Sequence, residues 1–232
     1  MAQGPKQRSK VAAFDIIGTV FSLEPLRSAL TGLGLPAMAL DWLYAATLRD
    51  SFALAATDGF APFQAVLGGC LDELLALQGV DAGPDRKQAI LGMMAALPPH
   101  DDARPAFETL AAAGIRIVAL SNGSADATRS LLGKAGLDGF GIEILSVEAI
   151  RRAKPRPEVY RYAAEASGVA PSELALVAAH PWDVHGARCA GLVGAYVARG
   201  RPYAPVLRPP DIAADTLRAV AERLAALAVG PR

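Results

Sequence analysis

Polar side chains follow three short apolar runs of the chain, at the point where each run ends. They are Asp15 and Thr19 after the first run, Ser121 and Asn122 after the second, and His180 and Asp183 after the third. A carboxylate such as Asp15 is ionised at neutral pH and can act as a nucleophile that is later regenerated. Lys154, in an arginine-rich segment, could join this group from a loop. These residue types predict nucleophilic chemistry if the fold brings them together.

The apolar runs that precede these residues have the pattern of strands in a parallel sheet. Strands are predicted at 10–14, 115–120, 142–145, 174–179 and 194–198, helices at 103–113, 125–135 and 157–167, and a last helix at 212–227. Strands that alternate with helices indicate a parallel sheet covered on both faces. In open sheets of this kind, sites form at the carboxyl ends of the strands. The expected fold class is therefore α/β, with a Rossmann-like parallel sheet core.

A different pattern fills the stretch between the first predicted strand and the next. From about residue 24 to residue 97, apolar residues recur at helical spacing, and Gly and Pro residues divide the stretch. This pattern indicates roughly four helices and no strand. We therefore expect a helical domain over residues 23–97, inserted into a core domain formed by residues 10–22 and 98–232.

Composition and charge exclude several classes of protein. The chain has 232 residues, of which 52% are hydrophobic, so it can bury a sizeable core and is not disordered. Lys plus Arg and Asp plus Glu number 23 each, which leaves no overall charge to attract nucleic acid or a membrane surface. No apolar run has the length of a membrane span or a signal peptide. The two cysteines lack the spacing of metal ligands, and we expect a cytoplasmic protein.

Four motifs in order carry a resemblance to a known family. The motifs are Phe14-Asp-Ile-Ile-Gly-Thr-Val-Phe21, Leu120-Ser-Asn-Gly-Ser124, Lys154-Pro-Arg-Pro-Glu-Val-Tyr160 and Trp182-Asp-Val-His-Gly-Ala187. Together they resemble the haloacid dehalogenase superfamily, and the helical insertion stands where that family carries its cap domain. Ser-Asn-Gly in the second motif and Trp-Asp in the fourth resemble the 2-haloacid dehalogenase branch in particular.

The resemblance implies a reaction and a role for each catalytic residue. Asp15 would attack the halogen-bearing carbon of a small 2-haloalkanoic acid, expel halide and leave an ester on the enzyme. Water would then hydrolyse the ester and release a 2-hydroxy acid. Lys154 would hold Asp15 ionised through its positive charge, and Asp183 would orient Lys154. No metal or organic cofactor is expected in this reaction.

The resemblance also implies how the substrate is bound. Ser121 and the backbone after Thr19 would bind the substrate carboxylate, and Asn122 would donate a hydrogen bond to the leaving halide. Three further candidates are less regular. The family's halide-binding cap arginine corresponds to Tyr44 in an ungapped comparison, while Arg49 lies just over one helical turn later. Tyr44 and Trp182 are candidate substrate contacts, with simple packing as the alternative.

Two positions depart from the pattern of the dehalogenase branch. Ile17 stands where the branch commonly has an aromatic residue and where phosphatases of the superfamily have a general-acid Asp. Because isoleucine cannot transfer a proton, Ile17 argues against ordinary phosphatase activity. His180 stands where the branch has an Asn that helps to place the hydrolytic water. A neutral His180 could activate that water as a general base, or it could be a strand-end histidine that bonds only to the backbone.

Three functions remain in competition at this point. The first is cofactor-independent dehalogenation of a small halogenated carboxylate by Asp15. The second is a phosphatase or phosphotransferase that uses Asp15 and Asp183 with Mg²⁺, the only case in which a metal is expected. The third is a catalytically idle member that binds a partner. Neither nucleic acid nor a membrane is an expected partner, and the oligomeric state stays open, with a homodimer as the candidate assembly.

Overall fold

A computed structural model of the protein describes residues 9–229. Its sheet has six parallel strands in the order β3-β2-β1-β4-β5-β6. The strands are β1 Val11–Phe14, β2 Arg116–Ser121, β3 Glu143–Ser146, β4 Leu174–Ala178, β5 Val193–Val197 and β6 Ile212–Ala214. The predicted α/β class with a parallel sheet is therefore confirmed.

The central strand β1 places the first polar motif between the other two. In the register of the sheet, Phe14 lies beside Ala119 of β2 on one side and Val177 of β4 on the other. Every residue of β1 is buried, as expected for a strand with helices on both faces. Because the three strands run in the same direction, the residues that follow them lie at one edge of the sheet.

Five helices cover the two faces of the sheet. They are α5 Ala103–Ala112, α6 Ala125–Lys134, α7 Pro157–Ala166, α8 Pro181–Cys189 and α9 Leu217–Val229. Phe14 of β1 packs edge-on against Phe107 of α5 at 4.8 Å between ring centroids, on one face. Val11 and Ala13 pack on the other face, in one cluster with Tyr160 of α7. Alternate side chains of β1 thus belong to two separate hydrophobic clusters.

The segment between β1 and α5 contains helices and no named strand in the part of the chain that the structure describes. These helices are α1 Glu24–Thr31, α2 Ala39–Ala56, α3 Phe63–Leu77 and α4 Gly83–Met93. They lie within the predicted insertion 23–97, whose boundaries stay a prediction. We refer to α1–α4 as the cap, and to the sheet with α5–α9 as the core. Among all helices in residues 9–229, none is long and apolar enough to cross a lipid bilayer.

The end of the chain differs from the sequence prediction. The stretch predicted as one helix over 212–227 contains β6 at Ile212–Ala214, and α9 begins only at Leu217. Two contacts explain the break. Backbone hydrogen bonds tie the segment to β5, for example from Ala198 N to Ala214 O at 2.8 Å. Asp102 Oδ2 accepts a hydrogen bond from Leu217 N at 2.7 Å, which satisfies a free N–H at the start of α9.

Candidate active site

Asp15 is the first residue after β1, and its carboxylate is buried, with only 6% of the residue exposed. The Asp15 N–H donates to Val177 O of β4 at 3.0 Å, which extends the sheet pairing by one residue. Thr19 donates its hydroxyl to Asp15 Oδ2 at 2.6 Å and accepts a hydrogen bond from Ala179 N at 2.9 Å. Thr19 is therefore not a helix-capping residue, because it fixes one oxygen of the carboxylate.

A fully buried ammonium group joins the two carboxylates of the site. Lys154 Nζ lies 3.1 Å from Asp15 Oδ1 and 2.8 Å from Asp183 Oδ2, and neither Lys154 nor Asp183 has an exposed side chain. The other oxygen of Asp183 accepts a hydrogen bond from the Tyr160 hydroxyl at 2.7 Å. Lys154 is thus held in one position between Asp15, which follows β1, and Asp183, which lies in the first turn of α8.

The charges of this cluster set its protonation states. Burial raises the pKa of Asp15, but the positive charge of Lys154 and the hydrogen bonds from Thr19 and Lys154 more than offset this, so the pKa lies below its usual value. For Asp183 burial dominates, and the pKa of this carboxyl is raised despite Lys154. Burial lowers the pKa of Lys154, but the two carboxylates outweigh it and the net shift is upward. Asp15 is therefore an ionised carboxylate at neutral pH, as a nucleophile must be.

His180 lies between two aromatic rings at the mouth of the site. Its imidazole stacks on Trp182 at 5.5 Å with an angle of 16°, and Tyr44 of α2 lies 5.6 Å away on a tilted plane. His180 Nε2 is 2.9 Å from Ile17 O, 3.1 Å from the Tyr44 hydroxyl and 3.5 Å from Asp15 Oδ2. A carbonyl and a carboxylate can only accept hydrogen bonds, so we infer that Nε2 carries a hydrogen in this arrangement.

A small pocket opens directly onto Asp15 and holds about 270 Å³ of empty space, part of which is open to solvent. Core and cap both contribute to it, through Asp15, Ile17, Tyr44, Phe63, Ser121, Asn122, Gly123 and Trp182. Asn122 Oδ1 accepts a hydrogen bond from Lys154 N at 3.1 Å, which leaves the amide NH₂ to donate elsewhere. Ser121 Oγ accepts from Gly123 N at 3.0 Å, so its hydroxyl hydrogen is also available to a ligand.

Arg49 has other partners than the residues of the site. Its guanidinium is 57% exposed and pairs with Asp50 at 2.7 Å and Glu73 at 3.2 Å. Arg49 is not among the residues that line the pocket, whereas Tyr44 of the same helix is. The structure therefore places Tyr44 and not Arg49 at this pocket, because the two residues lie on different sides of α2, and the binding of substrate by Arg49 stays a prediction.

Sequence reasoning missed two residues of the site. Tyr160 closes the third motif, and its position was a usable signal, because a tyrosine in the first turn of the helix that follows Lys154 can reach the same edge. Phe63 lines the pocket from the first position of α3. No motif pointed to Phe63, because its position depends on how the cap packs on the core.

The residues around Asp15 do not suit a Mg²⁺ ion. The oxygen atoms that could ligate one belong to Asp15, Asp183 and the Ile17 carbonyl. His180 Nε2 is 2.9 Å from the Ile17 oxygen and 3.5 Å from Asp15 Oδ2, so the imidazole already faces both of these oxygens. Both oxygens of Asp183 are also occupied, one by Lys154 and one by Tyr160. A hard cation that requires several oxygen ligands would have to displace these groups.

Known proteins share this fold and sequence pattern. Residues 10–191 match the family model of haloacid dehalogenase-like hydrolases. The chain is 28% identical over 219 residues to the (S)-2-haloacid dehalogenase of Pseudomonas sp. (strain YL), which covers 92% of this chain and 93% of that protein. It is 29% identical over 130 residues to haloacetate dehalogenase H-2 of Moraxella sp. (strain B), of which it spans 58%.

A solved structure agrees with these sequence matches. The L-2-haloacid dehalogenase of Xanthobacter autotrophicus superposes with a TM-score of 0.83 at 26% identity, over 94% of this chain and 98% of that one. The similarity thus extends over both the sheet and the helical insertion. The chain belongs to the family of haloacid dehalogenase-like hydrolases.

Proposed function

We propose that this protein hydrolyses the carbon–halogen bond of small 2-haloalkanoic acids, through an ester formed on Asp15 and without a metal. The observation that carries the proposal is the buried, ionised Asp15, held by Lys154 and Thr19 and open on one side to a small pocket. The names of the family relatives favour the same substrate class. Ile17 offers no proton for a leaving alcohol, and the residues around Asp15 do not suit a Mg²⁺ ion.

The first half of the reaction forms the ester. An Asp15 carboxylate oxygen attacks C2 of the substrate, the new C–O bond replaces the carbon–halogen bond, and the halogen leaves with the bonding electrons as halide. The amide NH₂ of Asn122 is available to donate to the departing halide as its charge develops. The Ser121 hydroxyl is available to bind the substrate carboxylate. Trp182 and Tyr44 form part of the wall of the pocket around the substrate.

The second half of the reaction returns Asp15 to its carboxylate form. Water attacks Cγ of Asp15, which is the carbonyl carbon of the ester. The bond between Cγ and the ester oxygen then breaks, and the 2-hydroxy acid departs with that oxygen. The contacts of His180 favour a donor role, because Nε2–H faces Ile17 O and Asp15 Oδ2. The alternative role as general base requires Nε2 to give up that hydrogen, so that it can accept a proton from water.

Two substitutions at His180 separate these roles. His180→Asn keeps a side-chain NH donor but cannot act as a base, and His180→Ala removes both functions. A donor role predicts that the Asn variant hydrolyses the ester faster than the Ala variant, by about tenfold or more. The ester is measured as a mass increase on the protein during turnover. Equal accumulation of the ester in both variants would support the role as general base instead.

The central test of the proposed function is halide release. Chloroacetate, fluoroacetate and each enantiomer of 2-chloropropionate are offered with and without EDTA, and halide is measured. We expect release that resists EDTA and disappears in Asp15→Asn. Asp126→Asn, whose side chain is 95% exposed, is the matched control and should keep full activity. If no substrate releases halide and a phosphate ester releases phosphate in a Mg²⁺-dependent way, this proposal is wrong and the phosphatase alternative is supported.

A further inference from the structure

A second cavity adjoins the pocket at Asp15 and is not used by the chemistry above. It lies between cap and core, where the start of α3, the end of α4 and the first turns of α6 face one another. The cavity holds about 650 Å³ of empty space, part of which is open to solvent. Its apolar walls come mainly from Phe63, Leu91, Met94, Ala127 and Leu131. We refer to it as the alkyl pocket.

The alkyl pocket and the Asp15 pocket share part of their walls. Ile17, Phe63, Ser121 and Gly123 line both of them. Ile17 comes from the core and Phe63 from the cap, and both side chains are only half-buried. The two cavities therefore adjoin at these four residues, with partly exposed apolar side chains of Ile17 and Phe63 on either side of the junction.

The charge of the alkyl pocket restricts what can occupy it. Among the described residues that line it, Glu148 is the only charged one. A carboxylate at this position repels a second anionic group on a ligand, while apolar walls favour hydrocarbon. The carbon surface of these walls is stabilised when a hydrocarbon chain removes it from water.

We propose that the alkyl pocket binds the uncharged hydrocarbon chain of 2-haloalkanoic acids longer than propionate. This inference rests on the proposed function, because the chain must be attached to the carbon that Asp15 attacks. The site then selects monocarboxylic acids with an unbranched chain of several carbons over two-carbon and three-carbon acids. Dicarboxylic acids of the same length are excluded by Glu148.

The test compares 2-chloropropionate, 2-chlorobutyrate, 2-chlorohexanoate and 2-chlorooctanoate as racemates, at matched concentrations below micelle formation. Each methylene group that leaves water for an apolar site is expected to raise kcat/KM by about threefold, until the pocket is full. The increase should come mainly from KM, since the added carbons bind equally in the ground and transition states. A flat or falling series among substrates that release halide would overturn the proposal.

Ala127→Leu in α6 fills the alkyl pocket, and Ala111→Leu on the exposed face of α5 is the matched control. We expect the ratio of kcat/KM for chlorohexanoate over chloropropionate to fall about tenfold or more in the first variant and to stay unchanged in the second. An unchanged ratio in Ala127→Leu would overturn the proposal.

A binding measurement keeps the two proposals distinguishable. If no chloro acid releases halide, the proposed function fails, and the alkyl pocket is tested by calorimetry with hexanoate and propionate. Tighter binding of hexanoate that weakens in Ala127→Leu supports the pocket as an alkyl site. Absence of any preference for hexanoate overturns it.

Discussion

At the scale of single residues, the arrangement around Lys154 serves reactivity more than stability. A buried ammonium loses its hydration, and its attraction to the buried Asp15 and Asp183 often only compensates for that loss. The arrangement is nevertheless well satisfied, because Lys154 Nζ contacts both carboxylates and Tyr160 donates to the remaining oxygen of Asp183. Its consequence is a carboxylate at Asp15 that stays ionised despite burial.

Lys154→Met tests this consequence through the pH dependence of the reaction. The reaction needs ionised Asp15, so kcat/KM rises as pH rises through the pKa of that group. Lys154 lowers this pKa, and its removal should move the acid limb of the profile upward by about 1 to 3 pH units. Halide release between pH 3 and pH 9 measures the limb. Lys134→Met, at an exposed position, is the control, and an acid limb that does not move would contradict the assignment.

Tyr160→Phe tests the hydrogen bond to Asp183. Removal of the hydroxyl leaves a buried carboxylate oxygen without its donor, which should lower the free energy of unfolding by about 1 to 3 kcal/mol. Tyr162→Phe is the matched control on the same helix, where the side chain is half-buried, and its effect should stay within about 0.5 kcal/mol. Urea denaturation measures both variants, and equal effects would show that the Tyr160 hydroxyl contributes nothing specific.

At the scale of elements, the loop after β1 and the start of α8 approach each other closely. Gly18 has φ of +81°, and a Cβ at this position would lie 2.9 Å from the imidazole of His180. The positive φ is a backbone conformation that favours glycine, and the short distance leaves no room for a methyl group. Gly18 therefore allows the His180 ring to lie against the loop that carries Asp15 and Thr19.

Gly18→Ala and Gly34→Ala separate the two effects. Gly34 also has a positive φ, of +88°, but a Cβ there would meet nothing within 4 Å. Both variants should lose about 1 kcal/mol or more of stability from the backbone conformation. Only Gly18→Ala should displace His180 and lower kcat, by about tenfold or more. Thermal denaturation and halide release measure the two effects, and equal kcat values would contradict the close contact.

At the scale of the whole molecule, the site exists only where cap and core meet. The core supplies Asp15, while α2 and α3 of the cap supply Tyr44 and Phe63. Contacts near the end of α2 hold the two parts together. Arg156 donates to Ala55 O at 2.9 Å, and Phe52 packs edge-on against Trp182 at 5.1 Å. The homodimer and the cytoplasmic location also belong to this scale, and both stay predictions.

Asp58→Asn tests the ionic part of this junction. Asp58 lies 3.2 Å from Arg156 and 3.4 Å from Arg152, with 66% of its side chain exposed. Pairs this exposed contribute less than about 1 kcal/mol, so the melting temperature should hardly change. At low salt, we expect the KM of the variant to be about twofold to threefold higher than that of the wild type. Added salt screens these charges and should raise the KM of the wild type, but it should leave the KM of the variant unchanged. A large loss of stability would show that the junction depends on this one carboxylate.

The sequence by itself determined the fold class and the core half of the site. Apolar runs that end in Asp15, Ser121 and His180 predict parallel strands, and the ends of neighbouring parallel strands lie at one edge of a sheet. The local pattern of each strand is therefore enough to predict that these residues, which are distant in the sequence, lie close together. The same argument does not predict which cap residues line the site, because a helical pattern does not indicate which face of the helix packs on the core.

The tertiary structure decided the remaining features. Tyr44 and Arg49 are five residues apart on α2, which places them about 140° apart around the helix axis, so only one can face Asp15. Cap packing also brings Phe63 to the pocket, and pairing with β5 converts the start of a predicted helix into β6. The hydrogen on His180 Nε2 follows from its distance to Ile17 O. Each of these features depends on contacts between segments that are distant in the sequence, and the local pattern of one segment does not indicate which other segment it will contact.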